Sequence, residues 1–258
     1  MQINKFVINN VVVTYLNIDK ELDNILNHDF ASSNAESPFI DYNIGSLLFL
    51  SNLKNNEDEL TFDLRDFGYV ENMISYIRKE KNKYYYCSNI TSSDKKSKKP
   101  YLSVKSKTNG KVYSSSIDIK TKDIEKIFNL YIEKSIQNNS FVIIGKSSED
   151  KKYNNFGVLV ELIASSDDSF YKVLKKEEKA NIIKALNDKI KLDSFYNYKI
   201  DSINSFDVSY KCICSKQKCI EVAKSLINTG AKFDFEKEIK LHCPICGKEY
   251  IITKKDLV

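Results

Sequence analysis

The sequence contains no tryptophan and only 7 glycines, 3 prolines and 2 histidines among its 258 residues. The scarcity of glycine and proline excludes collagen-like and proline-rich architectures. Two histidines leave little room for a histidine-based catalytic triad or a histidine-rich catalytic metal site. There is also no glycine-rich phosphate loop and no nucleophile elbow. We therefore expect a binding protein that is not an enzyme.

Long hydrophobic runs are also missing. The longest apolar run, residues 44–50, is interrupted by Gly45 and Ser46, and it is far shorter than the roughly 20 residues that a membrane span requires. The first residues show no cationic stretch followed by an apolar one. We expect a cytoplasmic protein that does not bind membranes, in a compartment that keeps thiols reduced.

The composition that remains is that of a folded protein, with 42% apolar and 29% charged residues. The net charge of +5 arises from 40 basic and 35 acidic residues. Over this length, so small an excess does not indicate a nucleic-acid partner.

Residues 1–164 are predicted to form one mixed α+β domain that is rich in hairpins. Asn109-Gly110 is typical of a type I′ turn joining two strands. Ser37 and Pro38 are suited to the N-cap and the first position of an apolar helix that runs to residue 54. The other predicted elements are strands at 11–16, 59–65, 72–78, 83–88, 141–144 and 157–163 and a helix beginning at Thr121.

The character of the chain changes after residue 164. Residues 165–206 are predicted to be a partly helical linker that packs lightly on its neighbours, because a stretch rich in lysine and glutamate is followed by a polar one with scattered aromatics. Residues 207–258 are predicted to form a small separate domain. The complete prediction is therefore an α+β core domain, a linker and a C-terminal domain that contains five of the six cysteines.

Four of those cysteines form two short pairs, Cys212-x-Cys214 and Cys243-x-x-Cys246, separated by 28 residues. Two such pairs supply the four thiolates that a tetrahedral zinc ion requires, so we expect one zinc ion per chain. The intervening residues indicate a helix with Ser215 as its N-cap and Gly230 as its C-terminal stop. Strand-like segments flank the second pair.

Other ligand sets and roles remain open at this point. Spacing alone favours an inert zinc ribbon, and His242 could replace one cysteine as a ligand. Cys219 is interpreted as a small buried residue on the apolar side of the helix, and Cys87 as a packed core thiol. The surrounding lysines favour thiolates, the form that oxidants attack, so a peroxide-sensitive zinc centre is chemically reasonable.

The segments 210–219 and 241–250, which hold the two pairs, resemble the zinc domain of the heat-shock protein 33 family of redox-regulated holdase chaperones. Weaker similarity to the same family is found at 58–68, 131–137 and 157–162. The paired C-x-C and C-x-x-C motifs near the C-terminus are quite specific to this family, and all four cysteines match.

This resemblance implies a mechanism. The reduced, zinc-bound protein would be folded and inactive. Oxidation would form the disulfides Cys212–Cys214 and Cys243–Cys246, expel zinc and unfold the zinc domain and the linker. The exposed surface would then hold unfolded client proteins, and homodimer formation would accompany activation.

Two other functions compete with this one. A zinc-ribbon nucleic-acid-binding protein is the main alternative, but residues 207–258 carry 10 lysines against 7 acidic residues, and zinc with four thiolates contributes a net −2. The remainder of about +1 is a poor basis for binding phosphates. A thiol oxidoreductase would need Cys243 and Cys246 at the start of a helix, whereas a strand-like segment follows them.

Overall fold

The computed structural model describes residues 1–27, 33–81, 83–92, 99–145, 155–163, 167–189, 194–195, 198–228 and 239–257. Their contacts divide the chain into two compact units, Met1–Tyr210 and Lys211–Val258. The mixed α+β fold predicted from the sequence is confirmed. Within the described residues, no helix is both long enough and apolar enough to cross a membrane.

The first unit is built on one ten-stranded sheet. Its strands are β1 (Gln2–Ile8), β2 (Val11–Asn17), β3 (Glu59–Phe67), β4 (Val70–Glu80), β5 (Lys83–Ser92), β6 (Tyr101–Thr108), β7 (Lys111–Asp118), β8 (Ser140–Gly145), β9 (Phe156–Leu162) and β12 (Ser202–Tyr210). The spatial order is β7-β6-β3-β4-β5-β12-β1-β2-β9-β8. Only the pairing of β12 with β5 is parallel. A separate two-stranded ribbon joins β10 (Ser194–Phe195) to β11 (Tyr198–Lys199).

Both predicted hairpins are present as β4–β5 and β6–β7. Asn109 and Gly110 have φ values of 52° and 75°, which is the left-handed backbone that a type I′ turn requires at both positions. β1 is not among the predicted strands, because polar Asn4 and Lys5 interrupt its apolar pattern. β1 nevertheless lies in the middle of the sheet, between β2 and β12.

The helices of the first unit cover its sheet. They are α1 (Leu22–Ile25), α2 (Glu36–Leu48), α3 (Ile124–Tyr131), α4 (Ser169–Lys176) and α5 (Lys179–Lys189). α2 begins two residues before the predicted start, so Pro38 occupies its third position. Proline is tolerated there because the N–H groups of the first turn have no partner within the helix. α3 begins at Ile124 rather than at Thr121, and its N-cap is Asp123, whose side chain accepts a hydrogen bond from the Lys126 N–H.

The apolar helix α2 is the centre of the larger core. Its buried side chains include Phe39, Tyr42 and Leu47. The Phe128 ring of α3 lies so close to Gly45 that a Cβ there would be 2.1 Å from it. Glycine therefore permits the close crossing of α2 and α3, which places α3 against the sheet.

The segment predicted to be a lightly packed linker takes part in the fold of the first unit. Phe170, Leu174 and Leu186 of α4 and α5 are buried in a second core with side chains of β2 and β9. β12 adds six residue pairs with β1. In this conformation the contacts divide the chain after Tyr210. The predicted boundaries, 164/165 and 206/207, therefore remain a proposal. They mark the segments that we propose to unfold when the protein is oxidised.

The second unit is small. It contains α6 (Lys216–Asn228), the hairpin of β13 (Ile239–His242) and β14 (Glu249–Ile252), and α7 (Lys254–Leu257). The predicted N-cap is present, because Ser215 Oγ accepts a hydrogen bond from the Lys218 N–H at 3.3 Å. The predicted stop at Gly230 lies outside the described residues. Ala223 and Ile252 are fully buried, with few other buried apolar side chains beside them.

Candidate metal centre

Two loops of the second unit supply the cysteine pairs. Cys212 and Cys214 lie in a segment without regular secondary structure, between the end of β12 at Tyr210 and the start of α6. Cys243 and Cys246 lie in the turn between β13 and β14. That turn is closed by hydrogen bonds from the Cys243 N–H to the Lys248 oxygen and from the Gly247 N–H to the Cys243 oxygen, both 2.9 Å. Gly247 has φ 70°, a conformation that favours glycine.

The four sulfur atoms converge. All of them lie within 4.8 Å of one another. The Cys212 and Cys243 sulfurs are 3.7 Å apart, and the Cys214 and Cys246 sulfurs are 3.4 Å apart. In a tetrahedral site with zinc–sulfur distances near 2.3 Å, neighbouring sulfurs are about 3.8 Å apart. The four cysteines are therefore arranged as a tetrahedral metal site requires and could hold a metal ion.

Two of these thiols have pKa values above the ordinary value of a cysteine. A hydrogen bond with Cys212, together with burial, raises the pKa of Cys243 to about 12. Burial is the largest cause that raises the pKa of Cys246. Four thiolates in so small a volume would repel one another, and a bound cation would compensate their charge. A divalent ion that binds sulfur, such as zinc, would suit this donor set.

Tyr250 of β14 is a neighbour of the site that sequence reasoning missed. Its hydroxyl oxygen lies 3.0 Å from the Cys214 sulfur, and this hydrogen bond is the largest cause that raises the pKa of Tyr250. The Lys248 ammonium lies 5.3 Å from the centre of the Tyr250 ring. A buried tyrosine usually finds a polar partner for its hydroxyl. The tyrosine four residues after Cys246 was therefore the feature of the sequence that could have predicted this contact.

His242 is not part of the sulfur cluster. Its Nε2 lies 3.2 Å from a Glu249 carboxylate oxygen, and 61% of its side chain is exposed. The group of potential metal ligands found here among the described residues consists of the four cysteines alone. The structure thus favours four cysteines over three cysteines and one histidine.

The positive surroundings expected for the thiolates are partly neutralised. Lys216 pairs with Asp256 at 3.0 Å, and Lys240 pairs with Glu249 at 3.5 Å. Lys248 lies beside Tyr250, the residue whose hydroxyl contacts Cys214. Two of the lysines in this part of the sequence therefore have carboxylate partners, and a third lies against the Tyr250 ring.

The two remaining cysteines lie apart from the four. Cys87 of β5 is buried, as predicted. Cys219 of α6 is only half-buried and packs with the small core of the second unit. The apolar side on which Cys219 was expected consists of Val222, Ala223 and Leu226. Ala223, one turn beyond Cys219, is fully buried as expected, whereas 54% of Val222 and 40% of Leu226 are exposed, so for these two the expectation was wrong.

Comparisons with known proteins give a family and a fold for the chain. The family model described as Hsp33 protein matches residues 4–253. The crystal structure of the 33 kDa chaperonin (heat shock protein 33 homolog) from Thermotoga maritima superposes with a TM-score of 0.62 at 14% sequence identity, covering 99% of this chain and 96% of that chain. At this identity the likeness is one of fold. No curated protein matches the sequence.

Proposed function

This chain belongs to the Hsp33 protein family, a family of chaperones, and from that premise we propose that it is a redox-regulated holdase. In this proposal the reduced protein binds one zinc ion through Cys212, Cys214, Cys243 and Cys246. It binds unfolded client proteins in the cytoplasm after oxidation, as a homodimer, and it neither catalyses a reaction nor binds nucleic acid or membranes. The observation that carries the proposal is the convergence of the four sulfurs within 4.8 Å.

The donor set explains why such a site is suited to a switch. Zinc, when bound, would compensate the charge of four thiolates and leave no open position for a substrate. The same thiolates can lose electrons to an oxidant. Four thiolates and two molecules of peroxide would yield two disulfides and four hydroxide ions, because each disulfide bond that forms releases two electrons and each O–O bond that breaks accepts two. The cation is released because disulfide sulfurs are poor ligands.

We propose the pairing Cys212–Cys214 and Cys243–Cys246 for the oxidised protein. The two short sulfur contacts in the reduced arrangement instead join one cysteine of each motif to one of the other. Disulfides within the motifs would replace these contacts between the two loops. The two halves of the small unit would then keep only contacts such as that of Lys216 with Asp256.

Strand β12 would transmit this change to the first unit. The second unit starts directly after the end of β12. β12 pairs with β5 over only three residue pairs, Val208–Tyr210 with Tyr84–Tyr86. Its aromatic contacts are Phe206 with Tyr84, at 5.5 Å between ring centres, and Tyr210 with Tyr86, at 5.9 Å. Release of β12 would uncover these rings, and exposed aromatic surface is what an unfolded client binds.

A client-aggregation assay tests the proposed function. We expect the peroxide-oxidised, zinc-free protein to suppress the aggregation of a heat-unfolded globular protein at near-equimolar ratio, and the reduced, zinc-bound protein to have little effect. Light scattering measures both. Reduction of the oxidised sample in the presence of zinc is the control and should abolish suppression. Equal suppression in both redox states, or in neither, would contradict the proposal.

Tyr250→Phe should make the switch more sensitive. When Cys214 is a thiolate, the Tyr250 hydroxyl donates the hydrogen bond, which stabilises the sulfur's charge and lowers its nucleophilicity. Such a bond contributes about 0.5–1.5 kcal/mol, so zinc release by peroxide should be two- to tenfold faster. A chromogenic zinc chelator measures the rate. Tyr69→Phe, which alters an exposed tyrosine of the first unit, is the control, and identical rates in the two variants would refute a role for the hydroxyl.

A further inference from the structure

The two end strands of the ten-stranded sheet differ in the hydrogen bonds that the backbone groups on their outer edges make. The Leu162 N–H donates a hydrogen bond to the Asn139 oxygen, which identifies the residues of β8 whose backbone bonds to β9. Because every second residue of an antiparallel strand faces the other side, the backbone N–H and C=O groups of Val142 and Ile144 point away from β9. Asn129 of α3 accepts from the Val142 N–H at 2.8 Å and donates to the Val142 oxygen at 2.9 Å. A Glu125 oxygen accepts from the Ile144 N–H at 2.9 Å. Side chains of α3 therefore close this edge.

No side chain among the described residues closes the edge formed by β7 in this way. The hydrogen bond from the Ile119 N–H to the Pro100 oxygen identifies the residues of β7 whose backbone groups bond to β6. Every second residue of β7 consequently points its N–H and C=O away from β6, namely Val112, Ser114, Ser116 and Asp118. Among the described residues, β6 is the only strand that pairs with β7. The outward positions extend over about 20 Å.

A groove runs along this open edge. It has a volume of about 1020 Å³. One side is formed by residues 115–118 of β7, and the other by Lys126 and Leu130 of α3 and by Lys134 in the turn after α3. The floor contains apolar Ile117 and Leu130. The charged side chains lining the groove are three lysines against one carboxylate, Lys120, Lys126, Lys134 and Asp118.

One of the three lysines has a partner already. Lys126 lies 3.4 Å from an Asp123 carboxylate oxygen, and both side chains are largely exposed. An exposed pair of this kind costs little to break. The groove therefore offers positive charge and apolar contacts directly beside backbone groups to which no described strand is paired.

We propose that β7 and this groove form a docking site for an extended polypeptide segment that carries acidic and apolar side chains, which adds to the sheet as an eleventh strand. The identity of the occupant, a segment of an unfolded client, rests on the proposed holdase function. Backbone hydrogen bonds are the same for every sequence, so strand addition suits a chaperone that has to bind many different polypeptide chains. The lysines then select segments rich in glutamate and aspartate.

The small side chains of β7 support this arrangement. Ser114, Ser115 and Ser116 form the middle of the strand, where an incoming chain must approach to within about 4.8 Å. None of them carries a charge or a bulky group, the devices by which many edge strands avoid pairing. The site lies in the first unit and contains no cysteine, so we expect it to bind a short peptide in both redox states.

The test uses the full-length protein and the peptide Val-Glu-Val-Glu-Val-Glu-Val, capped at both ends and labelled for fluorescence anisotropy. We expect hydrogen exchange at the Val112, Ser114 and Ser116 amides to slow when the peptide binds. The Ser114→Pro variant removes an outward N–H without removing a bond to β6, and it should weaken binding about three- to tenfold. Ser114→Thr, which keeps the N–H, should bind within about twofold of the wild type.

Charge is tested separately, because proline could alter the strand itself. The double variant Lys120→Glu, Lys134→Glu should lose binding of this peptide, whereas Lys120→Arg, Lys134→Arg should retain it. Exchange measured on the wild-type protein needs no variant. Protection elsewhere with none in β7, or unchanged affinity in both test variants, would overturn the proposal. Protection of β7 that rises with protein concentration without peptide would assign the edge to a second copy of this chain instead.

Failure of this site is distinguishable from failure of the holdase function. If the oxidised Ser114→Pro and glutamate variants suppress client aggregation as well as the wild type and bind the peptide equally, the holdase function stands and the β7 site is refuted. If the wild type never suppresses aggregation but the peptide protects β7, the docking site stands and the holdase function is refuted.

Discussion

Removal of zinc from the reduced protein should unfold the second unit, Lys211–Val258, and leave the sheet of the first unit folded. The second unit has few fully buried apolar side chains, Ala223 and Ile252 among them, and a chain of this length buries too little surface to offset its conformational entropy comfortably. Structural zinc contributes about 10–16 kcal/mol in small zinc peptides. That equals or exceeds the net stability of an ordinary domain, about 5–15 kcal/mol.

The loss of hydrogen-exchange protection after zinc removal should decrease from the second unit toward the first. Protection of amides should disappear throughout the second unit first. β12 should follow, because it is the segment directly attached to that unit and its pairing with β5 is short. α4 and α5 should be weakened less, since Phe170, Leu174 and Leu186 are buried in the first unit. The strands β3 and β9 should keep their protection.

Hydrogen exchange before and after chelation measures this gradient. A sample to which zinc has been restored is the control, and it should recover full protection. If the second unit keeps its protection after both zinc loss and oxidation, the cluster is an inert zinc ribbon and there is no unfolding switch.

Replacement of one cluster cysteine should have a comparable effect. Cys214→Ser or Cys246→Ser removes one of four thiolates whose sulfurs converge within 4.8 Å. A serine hydroxyl does not ionise at neutral pH and is a harder donor than sulfur, so zinc should bind more than about 100-fold more weakly. Metal analysis and competition with a chelator measure the change. The second unit should then be unfolded even under reducing conditions.

The matched control uses the two cysteines outside the cluster. Cys87→Ser with Cys219→Ala should retain one zinc ion per chain and should still be activated by peroxide, because neither side chain belongs to the converging group. Full zinc occupancy in Cys214→Ser and in Cys246→Ser would refute the ligand set. Loss of activation in the control, with zinc and fold preserved, would give one of these two thiols a role in the switch.

Much of the local structure could be predicted from short stretches of sequence. Asn109-Gly110 specifies its turn because both residues tolerate a left-handed backbone. Ser215 caps α6 with its own hydroxyl. The C-x-C and C-x-x-C spacings identified the four cysteines that come together, because each pair is held close by only one or two intervening residues. In all these cases the interacting groups lie within a few positions of each other.

Other features depend on residues that are far apart in the chain. β1 pairs with β12 in the register Gln2 to Asp207, and no local pattern in either segment specifies that pairing. The contact of Tyr250 with Cys214 likewise depends on the packing of β14 against the loop before α6. The burial of α4 and α5, which a composition rich in lysine and glutamate did not suggest, follows from an apolar stripe that finds a matching surface only once β2 and β9 are adjacent.

By itself, the sequence determined the α+β class, the hairpins, the helix cap and the four cysteines, since short-range sterics and chelate spacing do not depend on the rest of the molecule. The tertiary structure alone decided which strands end the sheet. Asn129 and Glu125 close the β8 edge because α3 lies beside it, and β7 remains open because the described chain supplies no further strand there. An edge is defined by the absence of a neighbour, which becomes known only when every other strand has found its place.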